Sequence, residues 1–386
     1  MAKRTAQGAG SIRQRADGLW EARYTVGRDP ATGKQVQKSV YGKTQQEVRK
    51  KLTAAASDLD KGIYSEPQKI TLGEWLCIWL EQYCGAVKPR TLTLYHSTVE
   101  YRVAPFLGAL PLSRLSPVVL QKFYNDSLAG ELKGVPPVSA KTVRNIHGIL
   151  HKALQQAVSV GYLKANPAAA CVLPKVEKKE MQVLNEAQTK AFLQAIEGEP
   201  FRRLFLVALF TGMREGELLG LTWDSVDFTA GTIRVYQQLQ RHQGTFVLMS
   251  PKNGKPRTIS PAPYVMDLLW QERTAQTEAR LLAGPLWEKS GYVFTDKLGH
   301  HLNQQTVFKH FKAAVRRIDC PQVRFHDLRH SYAVAALRAG IDVKTVSANL
   351  GHATVAFTLD VYGHVTDEMR QASADKMQAY IAALKA

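Results

Sequence analysis

The stretch that decides the fold is residues 326–365, HDLRHSYAVAALRAGIDVKTVSANLGHATVAFTLDVYGHV. Apolar side chains recur there at helical spacing, at Leu328, Tyr332, Ala335, Ala336 and Ala339. Gly340 ends this predicted helix, and Asp342 is a typical N-cap for a short second helix that Gly351 ends in turn. The stretch therefore predicts three helical segments.

Four polar side chains have fixed places along these segments and suit chemistry on a phosphodiester. His326 and Arg329 lie three residues apart and so share a helix face. His352 follows a helix-ending glycine, and Tyr362 comes ten residues later. Arginine offers a charged fork of donors that matches two phosphate oxygens, and histidine can donate to a third or carry a proton. A tyrosine hydroxyl can attack phosphorus if surrounding cations activate it, since its free pKa is about 10.

Each of these signals also has an ordinary interpretation. A helical H-x-x-R pair is more often a surface pair than a site. His326 and His330 could form half of a zinc site, but no Glu stands between them as in H-E-x-x-H and no third ligand is obvious. Tyr332 lies closer to Arg329 than Tyr362 does, but it fits the apolar stripe and is interpreted as core.

A second motif, FTGMREGELLGLTW at 210–223, places Arg214 and Glu217 three residues apart at the start of a predicted helix. It follows the apolar run 204–210, which is far too short to cross a membrane and predicts a buried helix. Glu217 could also be a helix-start charge favoured by the helix dipole.

Beyond this motif, alternating residues at 232–240 and 245–250 predict strands. The segment PKNGKPRTISP at 251–261 holds an Asn-Gly turn that leads into another short strand. Lys252 and Lys255 flank this turn, where a long cationic side chain could swing over a ligand.

Seven polar residues now stand in one order along the chain: Arg214, Glu217, Lys252, His326, Arg329, His352 and Tyr362. With this set the chain resembles the tyrosine recombinases, the family of phage and conjugative-transposon integrases. The resemblance covers 176–386 and rests on T-G-M-R-x-x-E-L, the lysine of the predicted hairpin, H-D-L-R-H, L-G-H and the tyrosine of T-L-D-V-Y-G-H-V. Each motif alone is weak, but their order is highly specific, and no family active-site position departs from the pattern.

The resemblance implies a role for each residue. Tyr362 would attack the scissile phosphate, forming a 3′-phosphotyrosyl bond and releasing a 5′-hydroxyl. Arg214 and Arg329 would clamp the non-bridging oxygens as charge builds in the transition state. His326 and His352 would add donors, with His326 also a candidate proton acceptor from Tyr362.

Two further roles follow from the same resemblance. Lys252 would be the general acid for the departing 5′-oxygen, and Glu217 would orient a neighbouring side chain rather than touch DNA. The cations would take the place of the metals that often assist phosphoryl transfer, so no metal and no cofactor are expected. The covalent intermediate would conserve the phosphodiester energy, so rejoining would need no ATP.

The composition restricts the class of partner. The chain has 51 Lys and Arg against 33 Asp and Glu, a formal net charge of +18 and a pI near 9.7, which favours a polyanion. A ribosomal or membrane-surface protein would be equally basic. Four cysteines show no metal-ligand spacing, and Cys77 and Cys84 are interpreted as reduced core thiols on one helix face. No signal peptide or spanning stretch is evident, so a cytoplasmic location is expected.

Residues 1–64 predict a small basic module. Three short strands are expected, at 11–15, 19–27 and 34–42. Turns at Asp17-Gly18 and at 29–33 would join them, and a helix over 44–62 would cover one face of the sheet.

The other face of this sheet is the predicted DNA-binding surface, and four candidate contacts lie along the strands: Arg13, Arg15, Arg23 and Tyr24. A sheet of this size can enter a major groove, although strand alternation prevents all four from facing the same way. By pattern alone a small basic domain could serve any acidic partner. The stretch resembles the arm-binding N-terminal domain of such integrases, including W-E-A-R and R-D-P-A-T-G-K, which implies DNA sites distinct from the crossover site.

The next part of the chain, from Thr71, predicts four helices, at 72–84, 91–107, 116–130 and 139–163. Four cations near helix starts are candidate phosphate contacts: Lys88, Arg90, Lys141 and Arg144. Trp75 and Trp79 are interpreted as core rather than as a base-stacking platform. The segment resembles the family's core-binding domain, which with the catalytic domain forms a clamp around duplex DNA, although a helical bundle with scattered surface charge would look much the same.

The chain is therefore predicted to be multidomain and mainly α, of the α+β type. An arm-type DNA-binding domain is expected at 1–64, a helical core-binding domain at 65–175, and a mixed α+β catalytic domain with a C-terminal tail helix at 176–386. Segments 65–70 and 168–182 are the predicted linkers.

The implied function is that of a site-specific recombinase, an integrase that integrates and excises a mobile element. Its partner would be double-stranded DNA, at core crossover and arm-type sites, and it would act as a homo-oligomer, a tetramer in the synaptic complex. No membrane partner is expected, and the location would be cytoplasmic and nucleoid-associated in a bacterium. Whether an accessory excision or DNA-bending protein takes part stays open.

Two alternatives remain at this stage. The tail helix is expected to dock on a neighbouring protomer, but packing on its own domain stays open. A non-catalytic regulatory or architectural DNA-binding protein of the same fold is the rival function, and the intact seven-residue set argues against it.

Overall fold

A computed structural model of the chain describes residues 11–28, 34–60, 70–177, 181–242 and 244–385. The chain divides into two compact units, Met1–Glu177 and Lys178–Ala386. The predicted turn at 29–33, most of the first predicted linker and part of the second lie outside the described residues. Within the described part, no helix is both long and apolar enough to span a membrane.

The N-terminal module of the first unit is the predicted sheet and helix. Its elements are β1 Ser11–Gln14, β2 Trp20–Arg28, β3 Gln35–Gly42 and α1 Gln45–Asp60. The sheet is antiparallel in the order β1-β2-β3. One face packs on α1 through Ala22, Tyr24, Val48 and Leu52, all of which are buried. The prediction of three strands and one helix is confirmed.

The rest of the first unit is helical, as predicted. Its helices are α2 Leu72–Gln82, α3 Pro89–Thr98, α4 Ala104–Leu107, α5 Pro117–Ala129 and α6 Ala140–Ser159. Side chains cap three of these helices at their N-termini, from Thr71, Ser116 and Ser139. Trp75 and Trp79 are buried in the core, and the Trp75 indole N–H donates to the carbonyl of Ala153 at 2.9 Å. The interpretation of the tryptophans as core is confirmed.

Two details of this helical part differ from the prediction. The single helix expected at 91–107 is interrupted by a turn of π-helix at Val99–Val103. Pro105 explains the interruption, because its ring has no N–H and would clash with the carbonyl four residues earlier. Of the pair Cys77 and Cys84, Cys77 is exposed and Cys84 is buried beyond the end of α2, so the expectation that both are core thiols is wrong for Cys77.

The second unit is a mixed α+β domain. Its helices are α7 Glu186–Ala195, α8 Arg202–Thr211, α9 Glu215–Leu219, α10 Pro263–Ala283, α11 Gln304–Arg317, α12 Phe325–Arg338, α13 Val343–Leu350 and α14 Val355–Lys385. Its strands are β4 Val226–Asp227, β5 Thr232–Val235, β6 Gln238–His242, β7 Thr245–Met249 and β8 Arg257–Ile259. A cluster of aromatic rings from α7, α8, α11 and α12 lies in its core: Phe192, Phe205, Phe311 and Phe325.

The strands of this unit depart from the prediction in three places. The strand expected at 232–240 is two strands, because β5 joins a sheet ordered β4-β5-β8 while β6 pairs with β7. At the break, the Gln237 side-chain amide donates to the carbonyl of Gly220, and a Cβ at Gly220 would lie 2.6 Å from the Leu239 nitrogen. The chain therefore leaves one sheet to pack closely on α9. The predicted hairpin around Lys252 is wrong, since β7 and β8 belong to different sheets. The run YVF at 292–294, whose aromatic and β-branched residues predict a short strand, forms only an isolated bridge at Tyr292.

The three helical segments predicted for 326–365 are α12, α13 and the start of α14. The Asp342 side chain accepts a hydrogen bond from the Thr345 N–H at 2.9 Å, and Gly351 ends α13 in the left-handed region with φ 64°. Tyr362 departs from helical geometry within α14, with φ −118° and ψ 20°. The residue that the sequence marks as the nucleophile thus lies at a break in the helix.

Candidate active site

Arg214 is the N-cap residue of α9, and its position is fixed by Glu217 one turn later. The Arg214 backbone N–H donates to Glu217 Oε2 at 2.9 Å, and its Nη1 donates to Oε1 at 2.8 Å. Glu217 is 1% exposed. Burial alone would raise the pKa of this carboxyl. The hydrogen bonds and charge of Arg257, with the charge of Arg214, outweigh burial and lower the pKa to about 2. Glu217 is therefore ionised at neutral pH, and its two hydrogen bonds hold Arg214 in place.

Arg257 completes this buried network, and sequence reasoning missed it. Its Nη1 and Nη2 donate to the two oxygens of Glu217 at 3.0 and 2.6 Å, and its Nε donates to the carbonyl of Asn349 at 2.7 Å. The side chain is only 10% exposed. One feature of the sequence could have indicated that Arg257 is buried. It lies two residues before the buried Ile259 in β8, so both side chains are on the same face of the strand.

Arg329 lies deeper than Arg214 and braces two loops. It is 3% exposed, and it donates from Nη1 to the carbonyl of Gly212 at 2.8 Å and from Nη2 to that of Leu350 at 2.5 Å. Burial lowers the pKa of Arg329 to about 9, with the charge of Arg214 acting in the same direction, so the guanidinium remains charged at neutral pH.

The L-G-H segment at the end of α13 is where these side chains meet. Arg214 Nη2 lies 3.4 Å from the carbonyl oxygen of Gly351, next to the carbonyl that Arg329 holds. The amide of Asn253 donates to the same Gly351 oxygen at 3.0 Å. Two arginines and the loop that carries Lys252 thus converge on two consecutive residues.

His352 and His326 both lie within the positive field of these arginines. His352 Nδ1 is 2.8 Å from the hydroxyl of Thr358. Burial lowers the pKa of His352 to about 3, and the charges of Arg329 and Arg214 act in the same direction. His326 is exposed to solvent, but partial desolvation of its ring, together with the charges of His330 and the arginines, lowers its pKa to about 4. Both rings are neutral near pH 7 and carry one N–H donor each.

Tyr362 is fully buried, at 0% exposed, against α12 and α13. Its hydroxyl lies 2.8 Å from His330 Nδ1, and the two rings are 5.9 Å apart. Burial raises the pKa of Tyr362 to about 12, and the charge of Arg329 acts in the opposite direction. Sequence reasoning assigned His330 only to a discarded zinc site. Among the described residues, no group of three or more His, Cys, Asp and Glu side chains is placed to hold a metal ion.

Apart from Tyr24, the remaining predicted residues are exposed to solvent. Lys252 is exposed in the loop between β7 and β8. In the first unit, six of the predicted DNA contacts are exposed on the module sheet or near the starts of α3 and α6: Arg13, Arg23, Lys88, Arg90, Lys141 and Arg144. Arg15, just after β1, is also exposed, with its guanidinium 5.4 Å from the centre of the Tyr41 ring. Tyr24 is only 8% exposed and packs in the module core, so the prediction that it lies on the DNA-binding surface is wrong.

On the open face of that sheet, Arg13 and Arg23 flank a buried carboxylate. Arg13 Nε and Arg23 Nε donate to Glu21 at 2.7 and 3.0 Å, and Ser39 donates to it at 2.7 Å. These three hydrogen bonds lower the pKa of Glu21 to about 2, and the bond from Ser39 has the largest effect. Two exposed cations are therefore held in place by one anion that is 3% exposed.

Comparison with known proteins assigns the family. The model of the phage integrase family matches residues 182–369, and that of the phage integrase N-terminal SAM-like domain matches residues 71–128. A tyrosine recombinase XerC-like protein of Caldanaerobacter subterraneus subsp. tengcongensis is 30% identical over 368 residues, which cover 90% of this chain and 92% of that protein. An integrase of Streptomyces ambofaciens is 29% identical over 381 residues, 94% of each chain. The chain belongs to the phage integrase family and is a tyrosine recombinase, an enzyme that breaks and rejoins DNA strands.

Solved structures show the same fold. The Tn1549 transposon integrase, in complex with transposon right end DNA, matches with a TM-score of 0.67 at 21% identity, over 80% of this chain and 100% of that one. A lambda integrase dimer bound to a core site matches with a TM-score of 0.54 at 20% identity, over 94% of this chain and 97% of that one.

Proposed function

We propose that this recombinase integrates and excises a mobile element through a 3′-phosphotyrosyl intermediate on Tyr362. The observation that carries the proposal is the convergence of Arg214 and Arg329 on the carbonyls of residues 351 and 350, within a domain where the charge of Arg329 acts on the Tyr362 hydroxyl. Two fixed guanidinium groups, one of which acts by its charge on a phenol, suit an in-line attack on a phosphodiester, because they stabilise the charge that develops on the non-bridging oxygens.

In the proposed reaction, the Tyr362 oxygen forms a bond to phosphorus as the bond from phosphorus to the 5′-oxygen breaks. The phenol passes its proton to a histidine of the site, and Lys252 donates a proton to the departing oxygen. The neutral rings of His326 and His352 donate their N–H groups to phosphate oxygens. Attack by a free 5′-hydroxyl on the phosphotyrosine reverses these steps and joins a new strand without ATP.

Access to the phosphate requires a change around Tyr362, since its hydroxyl is fully buried in the free protein. The backbone break at this residue is where α14 departs from helical geometry. We infer that DNA binding opens the pocket around the hydroxyl near this break without moving the tyrosine away from α12, so the nucleophile stays protected until a substrate is present.

The same proposal assigns DNA to all three parts of the chain. Residues 1–64 would bind arm-type sites through the open face of their sheet, residues 65–175 the core site, and 176–386 the scissile phosphate. Support comes from exposed cations on the first two parts, held near helix starts and on the sheet. Four subunits would form the synaptic complex; one solved neighbour is a lambda integrase tetramer bound to a Holliday junction.

The tail of α14 is proposed to dock on a neighbouring subunit. Its last two turns expose apolar side chains at helical spacing, at Met377, Tyr380, Ile381 and Leu384. A chain that ends after Asp367 should lose assembly and strand exchange on its DNA, as measured by sedimentation. Unchanged assembly and exchange would show that the tail packs within its own subunit.

A nicked suicide substrate tests the catalytic proposal. The nick lies close to the crossover, so cleavage releases a short strand and traps the covalent intermediate. The wild-type chain should form a protein–DNA adduct that survives denaturation, and Tyr362→Phe should form none while retaining DNA binding. If neither forms an adduct, the chain is a DNA-binding regulator of the same fold.

A further inference from the structure

His330 is a residue to which the family resemblance gives no role. It lies on α12, directly after Arg329, and Nδ1 of its ring is 2.8 Å from the Tyr362 hydroxyl. We propose that His330 is a catalytic residue that accepts the phenolic proton from Tyr362 as the nucleophile attacks. The inference rests on the proposed function and deepens it, because it replaces His326 as the proton acceptor.

The geometry favours His330 over His326. Among the described residues, the bond with His330 is the one hydrogen bond that reaches the Tyr362 hydroxyl. His326 lies beyond it, with the two imidazole rings edge to face and their centroids 5.1 Å apart. A general base must lie within hydrogen-bond reach of the proton that it removes, and His330 alone of the two meets this condition here.

The surroundings of His330 keep its ring able to accept. On α12 it faces Asp327, which favours the charged ring, and Arg329 and Arg324, which oppose it. The other groups that act on it include the rings of His326 and His352 and, from α14, the Tyr362 hydroxyl. Burial is the largest influence and lowers the pKa of His330 below its ordinary 6.5. At neutral pH the ring is therefore uncharged, and with its proton on Nε2 it presents a lone pair at Nδ1.

In the proposed attack by Tyr362, every proton has a donor and an acceptor among the protein side chains and the DNA. The O–H bond of Tyr362 breaks and its proton moves to His330 Nδ1, while the phenolic oxygen forms its bond to phosphorus. The 5′-oxygen leaves with its electron pair and takes a proton from Lys252. The resulting imidazolium returns its proton to the tyrosine oxygen when the 5′-hydroxyl of the new strand attacks.

His330→Asn separates proton transfer from positioning. The Asn side-chain oxygen can stand where Nδ1 stands and accept the tyrosine hydrogen bond, but an amide takes up no proton at these pH values. Adduct formation on the suicide substrate should slow by about 100-fold, the lower end of the usual gain from general base catalysis. DNA affinity and thermal unfolding should stay near those of the wild type. His310→Asn, on α11 and paired with Glu199, is the matched control and should cleave at the wild-type rate.

The pH profile distinguishes a proton acceptor from a structural residue. The wild-type rate should be flat above about pH 6.5, because the pKa of His330 lies lower than that. The rate of His330→Asn should instead rise about tenfold per pH unit, since the fraction of ionised tyrosine rises in that proportion. His326→Asn should lose rate but keep the flat profile. A wild-type rate and profile for His330→Asn, or a rising profile for His326→Asn alone, would overturn the proposal.

A measurement without DNA tests the same assignment. In the ¹⁵N-labelled full chain at pH 7.5, the His330 nitrogens should report the Nε2–H tautomer, and Tyr362→Phe should shift the Nδ1 resonance. An imidazolium or an Nδ1–H tautomer would contradict the inference. If the wild-type chain forms no adduct although His330 has the expected tautomer, the proposed function fails instead.

Discussion

Glu217 and Arg257 form a two-point ion pair in the interior, with hydrogen bonds of 3.0 and 2.6 Å between residues 40 positions apart. Glu217 also holds Arg214, and Arg257 also holds the carbonyl of Asn349. The guanidinium proposed to clamp the phosphate is thus placed by a carboxylate whose own position depends on β8 and the end of α13. This coupling leads to a prediction about stability and acid.

Glu217→Gln removes the negative charge that pairs with Arg257. The Arg257 side chain is only 10% exposed, so water cannot replace that partner. We expect the catalytic unit to lose about 3 kcal/mol of unfolding free energy at pH 7, because breaking a buried pair leaves an uncompensated charge. Adduct formation should fall with it, since Arg214 loses its brace. Scanning calorimetry of the full chain measures the transition of this unit. Glu186→Gln, in an exposed pair with Lys190, is the control and should cost less than about 1 kcal/mol.

The loss of unfolding free energy in Glu217→Gln should depend on pH in a defined direction. The pKa of Glu217 is lowered from 4.5 to about 2, so the ionised form stabilises the fold above pH 4.5 and this contribution disappears as pH falls towards 2. Wild type and Glu217→Gln should therefore differ most near neutral pH and converge in acid. A difference that stays constant between pH 7 and pH 3 would show that the charge is not its cause.

Gly212 gives a test of the loop that Arg329 braces. Its φ is 64°, and an added Cβ would lie 2.5 Å from a ring carbon of Tyr332 and 2.8 Å from Leu350. Gly212→Ala should cost about 3 kcal/mol, from left-handed strain and overpacking together, and should lower cleavage because the Gly212 carbonyl holds Arg329. Gly231 has φ 65° with open space around it, so Gly231→Ala should cost only about 1 kcal/mol. Equal losses in chemical denaturation would rule out the steric account.

Lys252, the proposed general acid, lies exposed in the loop between β7 and β8. Lys252→Ala should block cleavage of a normal 5′-oxygen but cleave a substrate with a 5′-thiolate leaving group, which needs almost no proton. The Asn253 bond to Gly351 should hold the loop in place in this variant. Lys255→Ala is the control and should cleave both substrates. The reverse pattern would assign the general acid to Lys255.

The exposed positions of Arg13 and Arg23 lead to a prediction about how the N-terminal module binds DNA. Replacing both with Ala should weaken binding to arm-type sites and reduce the slope of log K against log salt by about 1 for each lost phosphate contact. Tyr24→Phe should leave both quantities unchanged, because Tyr24 is in the module core. Binding titrations at several salt concentrations measure the two effects. An unchanged slope for the double variant would place the DNA on another surface.

Much of this fold could be predicted because local patterns specify it. The helix spacing at 326–350, the cap at Asp342 and the end at Gly351 are local signals, and the structure has helices with those limits. The order of the polar motifs was likewise sufficient to find the family. Alternation along β2 even forbade Tyr24 from sharing a face with Arg23, although both were taken as candidate contacts.

The rest depends on contacts between distant residues. Nothing in the sequence near His330 shows that Tyr362, 32 residues later, will place its hydroxyl on that ring. The pairing of Arg257 with Glu217 is equally non-local. The division of 232–240 into two strands follows from close packing of Leu239 on Gly220, a tertiary contact that overrides strand propensity.

The two carbonyl bonds of Arg329 leave much of its guanidinium for other partners. A guanidinium carries five N–H donors, and the bonds to Gly212 and Leu350 take one each. An incoming phosphate could engage the remaining three without loosening either loop. The two loops that Arg329 holds are then already fixed before the duplex arrives, and the rearrangement that the reaction requires is confined to the surroundings of Tyr362.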